Sequence, residues 1–146
     1  MPEPKVSINP EIGNAKPEKV SWFEEDRTLL AMRAVQALQK AYPKLYEAFE
    51  VVKVKFAWRW MNWQAVEMIV EGIYSDTYTS SLSTKSVTWH SMFYERHPEE
   101  NAETASTLLP GRICDYVKTN LLDGAEDLLE RAKILRALAR TVPEKM

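Results

Sequence analysis

Glycine is the residue this sequence is shortest of. Four occur in 146 residues, at positions 13, 72, 111 and 124, where an average chain would carry roughly 7%. That leaves no Gly-rich loop to cradle a phosphate or a dinucleotide, and few residues suited to tight turns between strands. Cysteine is rarer: Cys114 stands alone, so no intrachain disulfide can form. A reducing, intracellular compartment, cytoplasmic or organellar (the mitochondrion included), is the simpler expectation. The two histidines, His90 and His97, restrict acid–base and metal chemistry. Their spacing matches no zinc motif, and the Glu-x-x-His pairs of a helical di-iron centre are missing. Gly-x-Ser-x-Gly elbows, Cys-x-x-Cys pairs and Walker loops are all lacking. The reading is therefore of a chain with no catalytic residue, no metal and no cofactor.

Two further absences concern membranes and targeting. No uninterrupted apolar stretch of about 20 residues exists, so no transmembrane helix is expected. The N-terminus has no apolar signal-peptide core, and Glu3 and Glu11 precede the first arginine, Arg27, unlike an Arg-rich, acid-poor presequence. A net charge of −2 with a pI near 5.8 offers no electrostatic case for nucleic acid as the main partner.

What the chain has is hydrophobic residues in ordinary globular proportion, 45%, and five tryptophans, three of them at 58, 60 and 63. Wound at 100° per residue, the apolar residues of 53–74 spread almost all round, which reads as a buried central helix. Ser21 to Glu24 has capping-box spacing, and a helix over 22–42 would bury Leu30, Ala34, Ala37, Leu38 and Ala41. Pro43 suits a first helical position, so a second helix is expected from 43 to about 52. The Ser/Thr-rich 75–91 reads as loop, with a hairpin across Thr84-Lys85 or a short helix over 86–96 as alternatives. Pro110-Gly111 reads as a break. A helix follows over 112–122, and a last one over 124–141 with Leu128, Ala132, Leu135 and Leu138 as its buried stripe. The expected fold is all-α: an irregular bundle of five or six helices around 53–74. Residues 1–20, with prolines at 2, 4, 10 and 17, would be an extended arm and 21–146 a single helical domain.

Lys53, Lys55, Trp58, Arg59, Trp60 and Trp63 interleave bases with aromatics. The pattern suits a protein interface, single-stranded nucleic acid or a membrane surface. So many large rings in one short region exceed what a small bundle can enclose. Trp58, Arg59, Trp60 and Trp63 are therefore the expected partner-binding residues, together with Val6, Ile8 and Ile12 of the arm. The functional expectation is a non-catalytic structural or adaptor subunit of a larger assembly, with accessory subunits of organellar complexes as one setting. Two alternatives come from other classes. One is a small helical enzyme or ligand-binding protein whose aromatic pocket, from Trp60, Trp63, Tyr78, Trp89 and Tyr94, surrounds His90. The other is a peripheral membrane or single-stranded nucleic-acid binder acting through 53–63.

Overall fold

Residues 49–60 alternate in side-chain character with a period of two, and they form a strand. In β2 (Phe49–Trp60), Val52, Val54, Phe56 and Trp58 are buried, whereas Lys53, Lys55 and Arg59 are exposed on the opposite face. Such alternation is what a sheet with one wet face demands. The computed structural model describes residues 3–13, 24–60, 64–79, 85–94 and 97–143. Around β2 it places β1 (Lys5–Gly13), α1 (Glu24–Ala41), α2 (Pro43–Ala48), β3 (Gln64–Tyr74), α3 (Asp76–Thr79), β4 (Ser86–Tyr94), α4 (Pro98–Glu103), a π-helical turn (Thr104–Leu108) and α5 (Leu109–Ala139).

The strands make one mixed sheet in the order β1-β2-β3-β4. β1 runs parallel to β2, with Val6 beside Val52 and Ile8 beside Val54; α1 and α2 supply the long connection that parallel strands require. β2, β3 and β4 then form an antiparallel meander. The fold is α/β, and the all-α bundle expected from the sequence is corrected. The segment 53–74 is a β-hairpin, not a central helix. A helical wheel drawn across two strands superimposes their two patterns and spreads apolar residues round the circle. The proline-rich arm is also corrected, because its described part is a strand of the sheet. Pro10 sits in this edge strand, where its missing N–H is tolerated, within a register shift between Ile8 and Ile12. Its carbonyl accepts a hydrogen bond from Arg27 Nε at 2.6 Å.

The first expected helix agrees in span with α1, but of its expected face only Ala34 and Leu38 are buried, with Leu30 and Ala37 half-covered and Ala41 exposed; Ala31 and Val35 complete the buried set, at i, i+3, i+4 and i+7. The helices expected over 112–122 and 124–141 fall in one helix, α5. The second helix ends at Ala48, and the rest of its expected span belongs to β2. Residues 86–94 are a strand. Ser21 to Phe23, the start of the expected capping box, lie outside the described residues, as do Ser80 to Thr84 with half of the possible hairpin turn. Pro110-Gly111 does not break the chain, because α5 runs through both. Helical backbone is continuous through Thr104 and Leu109, so Pro110 lies inside a helical run, and the π-helical turn just before it marks a local widening of the hydrogen-bond pattern.

The core lies on one face of the sheet. Leu38 of α1 and Ile113 of α5 meet Phe49, Val52, Val70, Gly72, Val87 and Trp89 around a cavity of about 10 Å³, room for one water at most. Phe93, Met68 and Leu109 are fully enclosed. The chain divides into two compact units, Met1–Cys114 and Asp115–Met146; the second consists mainly of the remainder of α5.

Gly72 shows how closely the core is built. A Cβ there would lie 2.5–2.8 Å from ring atoms of Phe49, and that ring is itself stacked on Tyr74 with centroids 5.6 Å apart. Gly72→Ala should therefore destabilise the fold by about 1–3 kcal/mol, the usual range for overpacking, read as a lower urea midpoint with an unchanged slope. An unaltered midpoint would mean that Phe49 yields freely.

Candidate functional site

The second face of the sheet carries the charged chemistry. Here β2 presents Lys53, Lys55, Ala57 and Arg59, β3 presents Glu67, Ile69 and Glu71, and β4 presents Thr88, His90, Met92 and Tyr94. Glu67 faces Ala57 across one ladder and Met92 across the other. Its diagonal neighbours are then Arg59 on β2 and His90 on β4, within side-chain reach on a pleated sheet.

The three side chains close on one another. Arg59 donates its Nε–H to Glu67 Oε2. His90 Nδ1 lies 2.6 Å from Glu67 Oε1, and because an ionised carboxylate only accepts, Nδ1 carries the donated proton. The Glu67 side chain is 10% exposed, against 46% for Arg59 and 53% for His90. A carboxylate is thus embedded mid-sheet with its two partners reaching in from the solvent side. Burial alone would raise the Glu67 pKa, but hydrogen bonds from Arg59 and His90, with their charges, outweigh it and hold the group below the usual glutamate range.

An imidazole oriented through Nδ1 by a carboxylate is half of a nucleophile–base pair. On that face His90 is flanked along β4 by Thr88 and Met92, with Ile69 opposite. The enclosed cavity is on the other face of the sheet and apolar. The arrangement serves best as a charge network that allows a glutamate to occupy a central strand. Among the described residues, no three His, Cys, Asp or Glu side chains gather as a metal site requires, and Cys114 is a free, half-buried thiol.

The expected site residues are dispersed. Trp58 is 6% exposed, part of the core and closed to a partner. Arg59, its neighbour on the opposite face, is committed to Glu67. The side chains of Trp60 and Trp63 lie outside the described residues, as does that of Tyr78. Val6, 41% exposed, and the half-buried Ile8 and Ile12 sit on the edge strand. Trp89 and His90 leave β4 by opposite faces, so they do not line one pocket.

A second feature belongs to the other unit. Leu121, Leu122, Leu128, Leu129, Ile134, Leu135 and Leu138 of α5 are each 45–65% exposed. The stripe expected to be buried is bare, Ala132 being half-covered. Leucines at 128 and 135 were legible as an apolar face; their exposure, 50% and 65%, was not. Among the described residues, no helix is long and apolar enough to cross a membrane. Comparisons with protein-family models, with curated proteins and with solved structures return no match for this chain.

The charge network has a signed pH dependence. A carboxyl whose folded pKa is depressed contributes stability above its unfolded pKa and loses it as the pH falls through the folded value. Glu67→Gln should lower the urea midpoint at about pH 7, and the gap to the parent chain should narrow toward about pH 3 as the carboxylate is protonated. A gap of constant size across that range would show that the network contributes nothing through its charge.

Proposed function

We propose that this chain is a non-catalytic structural or adaptor subunit of a larger protein assembly, and that the distal part of α5 is its docking element. The observation that supports this is the row of leucines along Asp115–Met146. Scattered exposed leucines are ordinary on a monomer; a continuous helical row of them marks a contact surface. A helix in water draws most of its stability from packing one apolar face against something, and over 121–138 the leucines of that face are exposed. The sheet unit Met1–Cys114 is the folded body that carries the element. Its Arg59–Glu67–His90 network is accounted for by the burial of Glu67. The intracellular setting expected from the lone cysteine belongs to the same proposal.

The reading is tested in the cells that make the protein. Sized under native conditions, the tagged chain should run in a particle larger than its own 16.9 kDa. Combined Leu128→Asp and Leu135→Asp should release it as the free chain. A parent chain that already runs free, or a particle indifferent to both substitutions, would overturn the proposal.

A further inference from the structure

Along α5 the spacing of apolar residues is not only helical but heptad. Leu121, Ala125, Leu128, Ala132, Leu135 and Ala139 alternate steps of four and three, the repeat of a coiled-coil seam. All six lie within the helix Leu109–Ala139. Leucine takes every d position and alanine every a position. Leu122 and Leu129 flank the seam on one side, Arg131 and Leu138 on the other.

Two properties of this seam specify its occupant. The first is volume. In a parallel, in-register pair, alanine would meet alanine and leucine would meet leucine, giving thin layers and crowded ones by turns. In an antiparallel pair centred on Glu130, Leu121 meets Ala139, Leu128 meets Ala132 and Leu135 meets Ala125, each large residue against a small one. Even filling is what close packing requires.

The second is the charge of the whole helix. Asp123, Glu126 and Asp127 precede the centre and Glu130 stands at it, while Arg131, Lys133, Arg136 and Arg140 follow it. Reversed against itself, the acidic half faces the basic half at both ends.

We infer that the bare face of α5 pairs with the same face of a second copy of this chain, antiparallel about a twofold axis near Glu130. A surface complementary to itself under a half-turn is the defining property of an isologous contact. The inference rests on the docking role proposed above and names the partner. The same seam specifies against the alternative, since parallel pairing carries the volume mismatch and sets like-charged halves side by side.

The test uses the purified full chain in sedimentation equilibrium. The expected mass is twice 16.9 kDa; a monomer at high micromolar concentration, or a trimer or tetramer, overturns the inference. Leu128→Asp should weaken the dimer by about a hundredfold or more, as for a central apolar contact, with circular dichroism and the sheet unit's unfolding midpoint checking that the fold persists. Ala132→Leu then separates the orientations. It should weaken the antiparallel pair about tenfold by crowding Leu128 of the second copy, and adding Leu128→Ala should restore it. In a parallel pair it would fill the thin alanine layer, so a tightened dimer sinks the antiparallel arrangement. A purified monomer whose leucine face is still required for the native particle would sink self-pairing alone and leave the docking role standing.

Discussion

The central strand β3 is covered on both faces, and most of the first unit follows from that. Val66, Met68 and Val70 are enclosed on the core side, and Glu67 and Ile69 on the other. A strand with neighbours on both edges has all its backbone groups paired, but closure on both faces leaves nowhere to put a charge unless that charge is matched. Glu67 is matched from both sides, by Arg59 of β2 and His90 of β4. The network therefore ties three strands at one level of the sheet, and its electrostatics hold the register that the apolar residues also select. Shifting β2 by one residue would bring Lys53 and Lys55 into the core and remove Arg59 from Glu67 at once.

The two edges of the sheet are handled differently, and each device is written in one residue. On β1, Pro10 removes a donor and interrupts the ladder, and Arg27 from α1 takes up the carbonyl that the irregularity leaves. On β4, Asn101 acts as a short piece of strand: its amide donates to the Tyr94 carbonyl at 2.6 Å and its oxygen accepts from the Tyr94 N–H at 3.1 Å. Both main-chain groups of the last edge residue are then satisfied by a buried side chain. Edges closed in this way resist further strand pairing, which leaves the sheet a poorer contact surface than the distal helix.

The sequence made some of this legible and obscured the rest for identifiable reasons. α1 was readable because a one-sided helix repeats at 3.6 residues and its apolar set does so without interference. β2 was equally readable in principle: Val52, Val54, Phe56 and Trp58 against Lys53, Lys55 and Arg59 is a period of two. β3 hid it. A strand buried on both faces shows no alternation, and with no Gly-rich turn between Trp60 and Gln64 to mark a boundary, the two strands read as one long apolar helix. The Arg59–Glu67–His90 cluster was invisible for the same reason. On a helix, Arg59 and Glu67 are two turns apart; across a hairpin they are diagonal neighbours.

α5 shows how one helix can meet two obligations with two patterns. Near its start, Leu109, Ile113 and Val117 recur every four residues and are all buried. From Leu121 the spacing changes to alternating four and three. A repeat of four drifts steadily round the helix and suits a short contact with a compact core. A repeat averaging 3.5 keeps its residues on one line over a long span, provided the partner is another helix of matching pitch. Gly124, which is exposed in mid-helix and whose Cβ would meet nothing within 4 Å, then falls at a g position beside the seam. In the proposed pairing, a small residue there would let the two backbones approach, as the alanines would at a. That second pattern is the one on which the proposed pairing of α5 rests.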